Sequence, residues 1–180
     1  LTVGCAFAAT ALFSEDPSQS TYAAFMVGAL LLCIVGDILL IPRSTGAAFR
    51  SGVFAFLSGH LVFAVSFYAR GIDLTWLLVS AIILLPGALF VYRWLSPKIP
   101  EALRVPVQLY VVVITAMVSL AMATHGLKES WLVVCGAILF WLSDISVALD
   151  RFAKSSLLNR VWGIPFYFGA QVLLAWSIAG

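Results

Sequence analysis

Charge is what this chain has least of. Lysine, arginine, aspartate and glutamate together make up 10% of its 180 residues, against about a quarter in an average soluble domain. Apolar residues make up 63%, and a domain of this size has no water-excluded core large enough to hide them. Their solvent must be lipid. Cysteine pairs are also missing: Cys5, Cys33 and Cys135 are scattered through apolar runs with no C-x-x-C spacing. That excludes a disulfide framework and a cysteine zinc site, and leaves the three as small core residues. Histidine occurs twice, as His60 and His125. A net charge of +2, with no basic stripe and no glycine-rich phosphate loop, gives no footing for nucleic acid or nucleotide.

What is present is a series of apolar segments, roughly 1–13, 22–41, 47–69, 74–95, 102–124, 130–149 and 161–179. Backbone in lipid has no water to bond, so each segment is expected to be a helix. Period-two alternation of a barrel is absent, and no connection is long enough to form a separate domain. The expectation is an all-α integral membrane protein, residues 1–180 forming one bundle of about seven transmembrane helices. The first segment is shorter than the roughly 20 residues a crossing needs. With Leu1 in place of an initiating methionine and no basic, cleavable leader, the sequence is expected to enter partway into a helix.

Eight of the ten basic residues lie around the connections after the second, fourth and sixth segments: Arg43 and Arg50; Arg93, Lys98 and Arg104; Arg151, Lys154 and Arg160. Arg70 and Lys128 are left for the other side. An alternation this regular predicts that the three basic connections are cytoplasmic. Along the third segment, Ala48, Ser51, Gly52, Ala55 and Gly59 recur at helical spacing, as expected where helices approach closely in lipid.

Inside the apolar segments stand a few polar side chains. Asp37 interrupts Leu31 to Ile41, and Asp144 interrupts Phe140 to Leu149. An ionisable group within a membrane segment is expensive to keep and marks a site. With the orientation above, both aspartates lie within about a turn or two of the cytoplasmic end, as do Gln108, Tyr110 and Tyr167. Gln171 follows Tyr167 by one turn on the same face, and His60 falls near the midplane. Taken singly, each has a plain explanation. Asp37 could pair with Arg43, Asp144 with Arg151, and His60 could bond a backbone carbonyl. The glutamines could bond between helices. Asp150, Glu101 and Arg151 sit at segment ends, where solvation or a structural role is expected, and His125 lies in an outer connection. Taken together, five helices send polar groups to one half of the bilayer, and the expectation is a single site built around Asp37 and Asp144.

The ordered pieces Gly36-Asp37-Ile38-Leu39-Leu40, Gly52 to His60 (G-V-F-A-F-L-S-G-H), Ser143-Asp144 with Arg151-Phe152, and Tyr167-x-x-Ala170-Gln171 resemble the YhhN-like lysoplasmalogenase family of membrane proteins. The resemblance covers most of the chain. It implies eight helices, the first of which is not seen here, and hydrolysis of the vinyl ether bond of a lysoplasmalogen, a lysophospholipid of the bilayer, to a fatty aldehyde and a glycerophospho-ethanolamine or -choline. The acids of the G-D and S-D motifs, here Asp37 and Asp144, are implied as the catalytic pair. Around them His60, Gln108, Tyr110, Tyr167 and Gln171 would orient water or the polar end of the lipid, with Arg43 or Arg151 attracting its phosphate. No cofactor or metal is required. The expected location is the bacterial plasma membrane, with the site toward the cytoplasm. Two other classes fit membrane acids: a zinc-dependent, ceramidase-like hydrolase, which needs several histidine ligands, and a proton-coupled transporter, which commonly shows internal repeats.

Overall fold

The computed structural model describes residues 17–41, 46–128 and 130–178. They form six long helices and no strand: α1 (Pro17–Leu40), α2 (Ala47–Arg70), α3 (Leu74–Leu95), α4 (Glu101–Lys128), α5 (Trp131–Ala148) and α6 (Leu157–Trp176). A 3₁₀ turn, Ser96–Lys98, links α3 to α4, and a π turn, Leu149–Ala153, follows α5. The first expected segment, 1–13, lies outside the described residues, so the count among them is six rather than seven. Five of the six are long and apolar enough to cross a membrane. The sixth, α6, carries Asn159, Arg160 and Gln171, which lower its mean hydropathy. The protein is an all-α integral membrane bundle.

Helix ends follow local chemistry. Asp73 caps α3, its Oδ1 accepting from the N–H groups of Thr75 at 2.7 Å and Trp76 at 3.1 Å. Ser156 caps α6 by accepting from Leu158 N–H at 3.1 Å. That cap starts α6 four residues before the expected 161, because Asn159 and Arg160 are helical although they are polar. Gly71 closes α2 with φ +103°, a left-handed conformation that favours glycine.

Five helices form a ring. α1 packs on α2, α2 on α4, α4 on α5, α5 on α6, and α6 returns to α1, while α3 lies outside against α4. The ring encloses Met26, Phe63, Phe67, Met117, Phe140 and Leu174, all fully buried. Large apolar side chains such as Ile82 (71% exposed) and Phe90 (73%) cover the outer face of α3, a surface suited to acyl chains and not to water. At the end opposite the basic connections, Tyr22 Oη lies 2.5 Å from Ser177 Oγ, and the Arg70 guanidinium sits 4.8 Å from the Tyr22 ring centre. These contacts tie α1, α2 and α6 together.

The small-residue face of α2 meets α1. A side chain on Gly59 would meet Cys33 Sγ and the Ala29 carbonyl, and one on Gly52 would strike Leu40. The reciprocal contact on α1 is Gly36, where a Cβ would lie 2.6 Å from the Phe56 ring. Glycine at 36 therefore lets Phe56 lie flat on α1, one residue before Asp37. Ser51, counted in the same stripe, is exposed.

Candidate functional site

Each helix of the ring contributes one polar side chain to a single region. Asp37 lies in the last turn of α1, His60 on α2, Tyr110 on α4, Asp144 on α5 and Tyr167 on α6. The Tyr167 hydroxyl donates to Asp37 Oδ2 at 2.6 Å. The Tyr110 hydroxyl donates to Asp144 Oδ2 at 2.9 Å. Among the described residues neither carboxylate bonds through Oδ1 and neither pairs with an arginine, so both keep an oxygen for a ligand.

His60 is fully buried behind Asp144. Its Nδ1 is 2.6 Å from the Phe56 carbonyl. A carbonyl only accepts, so Nδ1 carries the hydrogen, and in the neutral ring Nε2 is the acceptor. Nε2 lies 3.3 Å from Asp144 Oδ2, within ion-pair distance but off the line of a hydrogen bond, and it has no other polar partner. The plain expectation for His60, a bond to a backbone carbonyl, and the site expectation thus describe two nitrogens of the same ring.

Aromatic rings join the two halves. Phe140 makes edge contacts with His60 (4.7 Å between centres) and Tyr167 (5.4 Å), Tyr110 makes one with His60 at 5.2 Å, and Phe56 with Tyr167 at 6.0 Å. These rings hold the tyrosines and the imidazole in place without supplying competing polar groups.

Asp37, Asp144, Tyr110 and Tyr167 all line one cavity of about 760 Å³, within the size range of ligand pockets. Its walls are largely apolar, with Phe56, Trp141, Ile164 and Phe168 among them. Toward the basic connections it is bordered by Ile41, Leu95 and Phe49, by Asp150 and Arg151 of the π turn, and by Arg160 of α6. Arg160 donates through Nε (3.2 Å) and Nη2 (3.1 Å) to Asp150 Oδ2, and Asp150 Oδ1 accepts from Ser156 N–H at 2.9 Å. Asp150 is accordingly a structural acid that pins the connection between α5 and α6. Among the described residues no three His, Cys, Asp or Glu side chains converge in a metal-ligand set.

The remaining site expectations separate. Arg151 lines the cavity. Gln108 is exposed on the outer face of α4 and is absent from the cavity wall. The inward face of α4 is Val107, Tyr110, Val111 and Ile114, and Gln108 lies about 160° around the helix from Tyr110, two positions away. Equal depth did not mean equal direction. Gln171 does not line the cavity either, although its Nε2 is buried and without a hydrogen bond. Arg43 lies outside the described residues. Reading the sequence overlooked Arg160, Phe49 and Trp141. The first was cut off from α6 by its charge, and the aromatics carry no signal that distinguishes a cavity wall from ordinary packing.

Residues 1–178 match the model of the YhhN family. The chain belongs to the YhhN family. This YhhN protein is 31% identical to lysoplasmalogenase TMEM86B of Sus scrofa over 158 residues, covering 88% of this chain and 65% of the relative. It is 32% identical to lysoplasmalogenase TMEM86A of Bos taurus over 155 residues (82% and 62%). It is also 34% identical to the lysoplasmalogenase of Mycobacterium tuberculosis over 160 residues (83% and 58%). The chain thus spans a little under two thirds of the length of these curated relatives. No solved structure matches it. In this YhhN protein the aspartate of the G-D pair on α1 and both residues of the S-D pair on α5, far apart in the chain, border the same cavity.

Proposed function

We propose that this protein is a lysoplasmalogenase: it hydrolyses the vinyl ether bond of a lysoplasmalogen held in the bilayer, with Asp37 and Asp144 as its acid and base. The observation that carries the reading is the placement of these two carboxylates, each oriented by a tyrosine hydroxyl, on one largely apolar cavity. The relatives named lysoplasmalogenase support it.

Vinyl ethers hydrolyse by protonation of the alkene carbon remote from oxygen, leaving an oxocarbenium ion that water captures. One carboxyl donates that proton. The other, ionised, takes a proton from water as its oxygen bonds to the cationic carbon, giving a hemiacetal. The hemiacetal hydroxyl then returns a proton to the first carboxylate, the second carboxyl protonates the departing glyceryl oxygen, and the C–O bond breaks to aldehyde and alcohol. Both acids end as they began, and the balance is one water consumed. Two-carboxylate glycosidases divide their labour in the same way. His60, packed against Asp144 with its Nε2 3.3 Å from Oδ2, holds that side chain in position. Tyr110 and Tyr167 fix the carboxylate orientations. The apolar walls keep the cation from stray water, and the hydrocarbon chain remains among the helices.

The cavity is lined at one end by Ile41, Leu95 and Arg151, at or beside the helix ends that lead into the basic connections. By the charge alternation it opens toward the cytoplasmic face, in a bacterial plasma membrane. The test is to incubate purified protein with lysoplasmalogen and, separately, with an ordinary acyl lysophospholipid, and to follow products by mass spectrometry. Fatty aldehyde from the first and no free fatty acid from the second is expected. Fatty acid release without aldehyde, or no product from either, overturns the reading.

A further inference from the structure

The cavity has a deep end with two carboxylates and a mouth with two arginines, and the arginines differ. Arg160 is held on Asp150 by two hydrogen bonds. Arg151 has no carboxylate partner among the described residues; its guanidinium lies 4.9 Å from the centre of the buried Phe49 ring. An arginine lining a cavity, braced on an aromatic face and left without a counter-ion, is a ready anion site.

We propose that Arg151 binds the phosphate of the substrate, so that the protein selects phosphate-bearing lysolipids over neutral ones. This rests on the lysoplasmalogenase reading and extends it to the polar end of the lipid. Spacing supports it. Arg151 follows Asp144 by seven residues, at most about 10 Å of helix rise, and both line the cavity. In a glycerophospholipid, six bonds separate the vinyl ether carbon from phosphorus, about 7 Å extended, the reach of two residues of backbone. Adding the contact distance at each end, a lipid with its alkene at Asp144 places its phosphate within reach of the Arg151 side chain. The π turn supports it too. Such turns re-aim side chains at functional sites, and here adjacent residues divide the work: Asp150 bonds Arg160 and Ser156 while Arg151 turns to Phe49.

The experiment measures binding, independently of turnover. Lysophosphatidylethanolamine and a monoacylglycerol of the same chain are titrated into the full chain, wild type, Arg151→Gln and Arg151→Lys, in maltoside micelles and in bilayer nanodiscs. The expected result is a ten- to hundredfold weaker Kd for the phospholipid in Arg151→Gln, partial recovery in Arg151→Lys, and equal monoacylglycerol binding in all three. An equal loss for both lipids, or for neither, overturns the proposal. So does an effect confined to nanodiscs, which would assign Arg151 to the phosphates of the surrounding bilayer. Wild-type protein that shows this binding pattern but releases no aldehyde would refute the activity while leaving the phosphate site standing.

Discussion

Replacing Asp144 by asparagine tests the chemistry most directly, because the swap preserves shape. Asp144 is 16% exposed at its side chain and meets Tyr110 Oη at 2.9 Å and His60 Nε2 at 3.3 Å, both through Oδ2. An asparagine oxygen at that point still accepts from the Tyr110 hydroxyl, and an amide nitrogen there donates to the Tyr110 oxygen. Tyr110 is satisfied in either rotamer. Removing a partly buried charge also removes its desolvation cost. Thermal unfolding of the purified variant is therefore expected to shift by no more than about 1 kcal/mol in stability, the worth of one ordinary hydrogen bond. Turnover is another matter, since asparagine neither delivers a proton to carbon nor takes one from water. Acid–base groups contribute about 10²- to 10⁴-fold, or about 2.7–5.4 kcal/mol of barrier. Aldehyde release from lysoplasmalogen, measured as kcat on folded protein, should fall by that factor, and the same assay on Asp37→Asn should show a comparable loss. If either variant runs within tenfold of wild type, the two-carboxylate scheme is wrong.

Tyr167→Phe deletes the hydroxyl that donates to Asp37 at 2.6 Å. A hydrogen bond to a charged group is worth about 1.5–3 kcal/mol, so a kcat decrease of at least tenfold is expected, and an unchanged rate would remove Tyr167 from the site. Gly36→Leu drives a side chain into the Phe56 ring; overpacking of this kind costs about 1–3 kcal/mol. The yield of monodisperse protein and the unfolding temperature should drop, whereas normal stability would mean that α1 and α2 do not approach there. Gln108→Ala, on the lipid-facing side of α4, should leave kcat and KM for lysoplasmalogen within twofold of wild type, and a larger loss would place Gln108 back in the mechanism.

Much of this molecule was legible in one dimension because lipid imposes a single rule on every segment that crosses it. Backbone must bond to itself, so apolar runs become helices, and the runs from 22 to 179 appear at nearly their expected bounds. Where the ends moved, as at Leu157, a serine cap outweighed local polarity. The cost of a lone carboxylate among apolar residues likewise made Asp37 and Asp144 conspicuous before any coordinates. Depth could be counted along each helix, but azimuth could not. Gln108 and Tyr110 are nearly level, yet only the packing of α4 on its neighbours turns one outward and the other onto Asp144. The same limit hid Arg160, whose partner Asp150 is supplied by an irregular turn with no periodic signature. Composition determined that the chain is a membrane helix bundle, since solvation energy depends on residue type, and the order of charges along the chain put the acids toward its basic side. Which acids share a cavity, which tyrosine serves each, and that His60 stands behind Asp144 were decided by the order of helices around the ring, because contacts between distant segments depend on how faces meet.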